Sequence, residues 1–366
     1  MRLNRWAGLP GTILALAFLT GCGGGSSGGG TSPSGRNVYV AIPGDNAIGS
    51  FRVKSSGDLS AVLGSPFAGG LSPGSVLAHP SGKFVYAANQ GGNDVSVFKV
   101  DSGTGELIEV MPRTPAGFNP KAMVMDSGGT VLFVANQTSN SISVYTISAS
   151  DGSLTEIQGS PFPTGARPVA MALSPSGKFL YVASADLASV FGYTVASGTG
   201  ALQVIPPSPF LVGSGPFSLV VEPSEHLLYV ANFNANNVSG MAIDPSTGAL
   251  TVASQSPFAA GTNPVAIAVH PSGKALYVAN AGSKNISVYS FDSTTGVTTQ
   301  LVDSPFAATN TPVFATVDPG GNFLYVGGQT ANNIVRFQIN QTTGGLPSNT
   351  VAATTSLAPA AMAFGP

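Results

Sequence analysis

Charge is the scarcest property of this chain. Asp, Glu, Lys and Arg together make up 8% of its 366 residues, against about 25% in an ordinary soluble domain. There is no basic stripe and no run of like charge, which excludes a phosphate-driven nucleic-acid partner and a charged tail. Cys22 is the only cysteine, so no internal disulfide can form. With three histidines and no zinc, P-loop, nucleophile-elbow or haem-attachment spacing, neither a metal nor a cofactor is expected. The N-terminal apolar stretch, Trp6 to Leu19, is broken by Pro10 and falls short of the roughly 20 residues a membrane-spanning helix needs. What fills the chain instead is 47 glycines, 28 prolines and many Ser, Thr and Asn residues, the makeup of a turn-rich protein.

Within that composition a strand of the form F-L-Y-V-A-N recurs seven times. Its tyrosine position is filled by Tyr39, Tyr86, Phe133, Tyr181, Tyr229, Tyr277 and Tyr325, at steps of 47 or 48 residues. Each copy leads to a strand that opens with proline: Pro73, Pro120, Pro168, Pro216, Pro264, Pro312 and Pro359. A constant period of this length marks a repeat architecture. Between Lys178 and Glu222 one repeat reads as four short strands: 178–184, 189–195, 201–205 and 216–222, with Gly- and Ser-rich turns between them and no helical periodicity. Four antiparallel strands per repeat specify an all-β, seven-bladed β-propeller. The chain enters on a tyrosine strand (37–41) and leaves on a proline strand (359–364). The C-terminal strand therefore completes the N-terminal blade and closes the ring, which hides two sheet edges. The domain so defined covers residues 36–366.

The N-terminus is a separate module. Arg2 and Arg5 precede the apolar stretch, and Leu19-Thr20-Gly21-Cys22 follows it. This resembles a bacterial lipoprotein signal, which implies that residues 1–21 are removed and that Cys22 carries lipid. More than one acyl chain gives durable anchoring, at about 0.8 kcal/mol per buried CH₂. Gly23 in place of Asp favours the outer membrane by the same resemblance. Residues 22–35 are the lipidated cysteine and a Gly/Ser-rich tether too polar to bury anything. The expected location is the cell envelope, with the protein exported and its partner membrane reached through Cys22.

A residue shared by every copy serves the scaffold, so a specific site should lie where one copy departs from the rest. The P-S-G turns (His79 to Gly82, Ser174 to Gly177, His270 to Gly273) suit type I geometry. The Ser-Pro-Phe segments that end at Phe67, Phe162, Phe210, Phe258 and Phe306 read as packing plugs between blades. Asn89, Asn136, Asn232 and Asn280 end tyrosine strands and read as structural. His79, Asp126, Ser174, Glu222, His270 and Asp318 close their proline strands and read as turn caps rather than metal ligands, because they sit in separate blades and a metal needs convergent donors. His226, at the start of a tyrosine strand, reads as solvated. At the opposite end, beside the prolines, only Arg167 and Lys121 are cationic. They belong to neighbouring blades, with Phe118 and Phe217 as the local aromatics, and such a group can hold a carboxylate or a sugar acid.

The turn and strand Pro271 to Asn280, the strand Ile286 to Tyr289 and the T-G-x-L turn Thr247 to Leu250 carry a resemblance. They are similar to the seven-bladed lactonase-like propellers, which include 6-phosphogluconolactonases, and to the Y-V-T-N repeats of microbial surface proteins. The resemblance spans residues 36–366. It implies either hydrolysis of a sugar-acid lactone or a binding module on the same scaffold. Such enzymes place a histidine near the start of an inner strand, and no blade here has one. The expectation is therefore a ligand- or protein-binding module whose loop face takes a small acidic or sugar ligand or a protein partner. Lactone hydrolysis with Arg167 and Lys121 as anion holders is the alternative.

Overall fold

Alternation between buried and exposed side chains is missing from the tyrosine strands because neither of their faces meets water. Phe84–Asn89, Val131–Asn136 and Leu227–Asn232 are buried along their whole length. Sheets covered on both sides read as continuous apolar runs. The structure, a computed structural model, describes residues 36–308 and 310–366. The expected signal segment 1–21 and the expected tether 22–35 with Cys22 lie outside the described residues. Among the described residues the chain forms seven antiparallel sheets, each a blade, with one short 3₁₀ turn at Pro43–Asp45.

Blade 2 shows the common order from the axis outward: Pro73–Ala78, Phe84–Asn89, Asp94–Val100, Leu107–Pro115. Blades 3 to 7 begin in the same way at Pro120, Pro168, Pro216, Pro264 and Pro312. Blade 1 takes its inner strand from the C-terminus, where Ala361–Phe364 pairs antiparallel with Asn37–Ile42. The ring therefore closes as its phase predicts, although the seventh inner strand is shorter than expected and begins at Ala361, two residues past Pro359. Five blades add a two-residue segment at the outer edge, such as Phe258–Ala259 beside Leu250–Val252. The Ser-Pro step makes that break. Its serine hydroxyl accepts from the third strand's backbone, as Ser256 Oγ does from Gly240 N at 2.9 Å. Its phenylalanine enters the gap to the next blade, where Phe258 meets Tyr229 of its own blade edge-on at 6.2 Å and Tyr289 of the following blade at 4.9 Å.

The recurring tyrosine joins one blade to the next. Tyr86 OH donates to Gly152 O (2.9 Å), Tyr181 OH to Gly248 O (2.8 Å) and Tyr277 OH to Gly344 O (3.0 Å). Each acceptor is a turn glycine of the following blade. Tyr325 OH donates to Gly57 O at 2.6 Å and so spans the seam between blades 7 and 1. Arg336 and Asp58 form an ion pair at 2.8 Å across the same seam. A second set runs backward. Tyr145, Tyr193 and Tyr289 hydroxyls donate to Pro115, Pro163 and Ala259 carbonyls of the preceding blade at 2.6–2.9 Å. Burial in this setting raises the tyrosine pKa values, so the hydroxyls remain donors at any ordinary pH.

Tyr229 is the informative exception, since its buried hydroxyl has no hydrogen-bond partner among the described residues. Tyr325→Phe should lower stability by about 1–3 kcal/mol, because it strands a buried carbonyl at the seam. Tyr229→Phe should cost much less. Chemical denaturation of the two variants checks this, and equal losses would contradict the latch.

Candidate functional site

In blades 2 to 7 the inner strand contains a β-bulge directly after its proline. The ladder to the tyrosine strand runs from Pro73 to Ser75, Pro168 to Ala170, Pro216 to Ser218, Pro264 to Ala266 and Pro312 to Phe314, and skips the residue between. In blade 3 the skipped residue is Lys121. A bulge frees one residue from the ladder and re-aims it. Gly74, Lys121, Val169, Phe217, Val265 and Val313 are thus brought to one end of the ring, here called the mouth. Most of them are apolar and join the core: Val169, Val265 and Val313 are buried in it, and Phe217 packs against it and stacks on Phe233 at 5.4 Å.

Lys121 is the departure. It is 2% exposed, and its Nζ lies 3.5 Å from Gln90 Oε1 of blade 2. Gln90 can lean this way because blade 2 carries glycine at the bulge: a Cβ on Gly74 would fall 1.6 Å from Gln90 Nε2. Gln90 Nε2 and Asn119 Oδ1 are buried without a hydrogen-bond partner, while Asn119 Nδ2 donates to Gln137 Oε1 at 3.1 Å. Burial pushes the Lys121 amine down to about 7, and the nearby Arg167 guanidinium adds to the shift. An amine at this value divides between its charged and neutral forms at neutral pH, and such shifts cluster at functional sites.

Arg167 comes from the loop into blade 4. Its backbone is left-handed (φ 54°), as is that of Ser72, Asn119, Gly215 and Asn263 at the same place in other blades. The amides of Ser72, Asn119, Arg167 and Asn263 each donate to an Asn Oδ1 of the preceding blade at 2.8 Å; for Arg167 the acceptor is Asn140. The scaffold therefore locks the Arg167 backbone and leaves its side chain at the surface. The guanidinium pairs with Asp186 at 3.0 Å, and both groups are more than half exposed (56% and 53%). An exposed pair of this kind contributes at most about 1 kcal/mol, so another anion can compete for the arginine.

Lys121 Nζ meets Gln90 and the Arg167 guanidinium meets Asp186, and the arginine charge is the second, smaller cause of the lowered Lys121 amine. Phe217 lies two blades beyond Lys121, and its partner is Phe233. Phe118 sits on the outer loop, 63% exposed, where its amide donates to Ser139 Oγ at 2.7 Å. Gln90, Asn119 and Asp186 were not singled out by sequence. The signal for Gln90 was available in the repeat: Pro43, Gln137, Ala185, Phe233, Ala281 and Gln329 hold its place in the other blades, and only Gln90 lies in a blade with glycine at the bulge.

The far end of the inner strands is occupied by turn caps. Asp126 accepts from the amides of Thr130 and Val131, Glu222 from those of Ser224 and His226, and Asp318 from that of Phe323. His79 and His270 take their Nε2–H to the carbonyls of Gly129 and Gly321 in the next blade, at 2.9 Å. His226 is exposed, with Nδ1 3.2 Å from Ser224 Oγ. No group of three or more His, Cys, Asp or Glu able to hold a metal occurs among the described residues. No helix among them is long and apolar enough to cross a membrane.

The family described as "Lactonase, 7-bladed beta-propeller" matches residues 30–111, 61–168 and 163–364. The chain belongs to this lactonase propeller family. A search of curated proteins found no match. Among solved structures the chain is similar to a candidate 6-phosphogluconolactonase from Bacteroides fragilis: 23% identity, TM-score 0.79, 93% of this chain and 100% of that one covered. It is similar to a Pseudomonas aeruginosa periplasmic gluconolactonase at 20% identity and TM-score 0.75, with 90% and 99% of the two chains covered. A candidate 6-phosphogluconolactonase from Bacteroides uniformis aligns at 19% identity and TM-score 0.79, covering 90% of this chain and 99% of that one. At these identities the likeness establishes the lactonase propeller fold.

The Lys121 shift has a signature in stability. The amine binds its proton near pH 7 when folded and near 10.5 when unfolded. Between those values the unfolded chain holds more protons, so unfolding free energy should rise with pH across the window. Lys121→Met should remove that part of the slope in thermal melts from pH 7 to 10. An unchanged slope would show that the amine is not desolvated.

Proposed function

We propose that the mouth of this lactonase-family propeller binds a small carboxylate-bearing ligand of the sugar-acid type. One observation carries the reading: Lys121 lies buried at the bulge of blade 3, 3.5 Å from Gln90 Oε1, and burial first and the Arg167 charge second push its amine down to about 7. An anion beside the amine would relieve that repulsion and restore the amine's proton, so binding is linked to proton uptake near neutral pH. Unpartnered amide atoms on Gln90 and Asn119 offer donor and acceptor positions beside the cations. The Phe217–Phe233 stack offers an apolar face elsewhere on the rim.

Opening of a lactone is the second reading. The alternative expected from sequence lacked a base, and the Lys121 amine, partly neutral at pH 7, can accept a proton from water while Arg167 holds the acid group. The activity in the name of the Pseudomonas neighbour accords with this reading.

We further propose that the protein is exported and lipid-anchored through Cys22 in the cell envelope. The described chain begins at the far end of the ring, where Gly365 N donates to Asn37 O.

Calorimetric titration of the full-length protein in detergent with gluconate should show binding that weakens above pH 7. Arg167→Ala and Lys121→Gln should each weaken it roughly ten- to a hundredfold, the loss expected for a hydrogen bond to a charged group. Unchanged affinity in both variants would refute the site. Turnover of gluconolactone that rises with pH through about 7 and is lost in Lys121→Gln would decide for hydrolysis. Cys22→Ala should move the protein from the membrane fraction to the soluble one, and retention would refute the anchor.

A further inference from the structure

The Ser-Pro step that breaks the outer edge in five blades is missing from blades 2 and 7. In blade 2, Met111-Pro112-Arg113-Thr114 stands where those five have Ser-Pro-Phe. The outer strand there runs unbroken over nine residues, Leu107–Pro115, and among the described residues nothing pairs with its outer side. An open edge of this length is a template for another strand. Its backbone groups alternate in direction. Asp101 N donates to Glu106 O and Ala116 N to Asn93 O, at 3.0 and 2.9 Å. Glu106, Ile108 and Val110 therefore face the third strand at one end, and Thr114 and Ala116 at the other, on either side of a bulge. Leu107, Glu109, Met111 and Arg113 turn their amides and carbonyls outward. Pro112 falls between two of them and removes no donor from the edge. Ile108 and Met111 are 63% and 64% exposed along this strand. Glu109 and Arg113 share one side of it and pair at 2.7 Å.

We propose that Leu107–Pro115 is a homodimer interface, in which the strand pairs antiparallel with its copy in a second chain about a two-fold axis at Met111. Charge selects the partner and the register. An antiparallel pair centred on Met111 sets Glu109 opposite Arg113 of the second copy, and Arg113 opposite its Glu109. Parallel pairing in register, or an antiparallel pair centred on Glu109, sets glutamate against glutamate. Opposite charges across a ladder stabilise it, and like charges oppose it. A two-fold contact uses the same patch twice, so the Glu109–Arg113 pair of each copy joins a closed group of alternating charges. Met111 meets its own copy at the axis, and the outward amides and carbonyls gain partners. The contact joins two single strands and is small, so the dimer is a weak one, with dissociation at about micromolar concentration.

Sedimentation velocity of the full-length protein in density-matched detergent tests this. The wild type should pass from monomer to dimer between about 1 and 100 μM. Glu109→Arg and Arg113→Glu should each move that transition roughly ten- to a hundredfold higher in concentration. An equimolar mixture of the two variants should recover wild-type dimerisation, since opposite charges again face one another at both positions. Met111→Lys, at an exposed position, should abolish the dimer by setting two ammonium groups face to face, while melting as the wild type does. A wild type that stays monomeric up to about 100 μM would overturn the proposal. So would a dimer indifferent to Met111→Lys and to both charge reversals. Charge-reversed variants that fail to dimerise and are not rescued by mixing would overturn the two-fold register. A dimer lost only in Val351→Lys would place the contact on the other unbroken edge, Ser348–Thr354 of blade 7, and overturn the proposal as well.

Discussion

A ring of blades lasts only if each blade is fastened to the next, and here the fastening is a buried hydroxyl aimed at a neighbour's turn. In blades 2, 4, 6 and 7 the tyrosine donates to a glycine carbonyl of the following blade, whereas blade 3 has Phe133 in that place and the Tyr229 hydroxyl of blade 5 has no partner among the described residues. Such a bond contributes only about 1 kcal/mol net, but a buried carbonyl left without it costs more. Where the bond forms, the turn glycine arrives level with the previous blade's tyrosine. Blade 1 meets the same need with a different residue, since Ser50 Oγ donates to Gly105 O at 2.8 Å.

The mouth is built from the same economy of parts. Proline cannot donate to the ladder, so the inner strand opens without a full set of bonds. The bulge that follows leaves one side chain per blade outside the sheet. Filled with Val or Phe, these positions close the ring; filled with Lys in blade 3, one becomes a chemical group. Burying an amine is unfavourable unless it loses its proton or gains a partner. The position of Arg167 in the next loop makes the conflict sharper rather than milder. At the far end, Asp126, Glu222 and Asp318 already accept from backbone amides of their own turns.

Much of this was legible in the residues themselves. The seven-fold period, the four strands per blade and the closure by the C-terminal strand follow from where tyrosine and proline recur. The turn-capping role of Asp126, Glu222 and Asp318 follows from their place before P-S-G-like turns. The prominence of Lys121 and Arg167 follows from their being the two cations among the residues flanking the prolines. Three things were not legible. The tyrosine hydroxyl's acceptor lies 66 to 268 residues away in sequence, so the repeat showed that tyrosine mattered without showing why. Gln90 lies in a different blade from Lys121, and the glycine that makes room for it is in a third segment. A base at the mouth was sought among histidines and carboxylates, whereas lysine acquires that capacity only through its surroundings.

Local pattern was therefore enough to determine the architecture, because period, turn chemistry and strand length are properties of neighbouring residues. It also determined which positions depart from the repeat. What the tertiary structure alone decided is the chemical character of those departures. Whether Lys121 is a solvated ammonium or a buried amine depends on how much water and which charges surround it. Those surroundings come from blades 2 and 4, which the chain brings beside blade 3 only when the neighbouring blades pack.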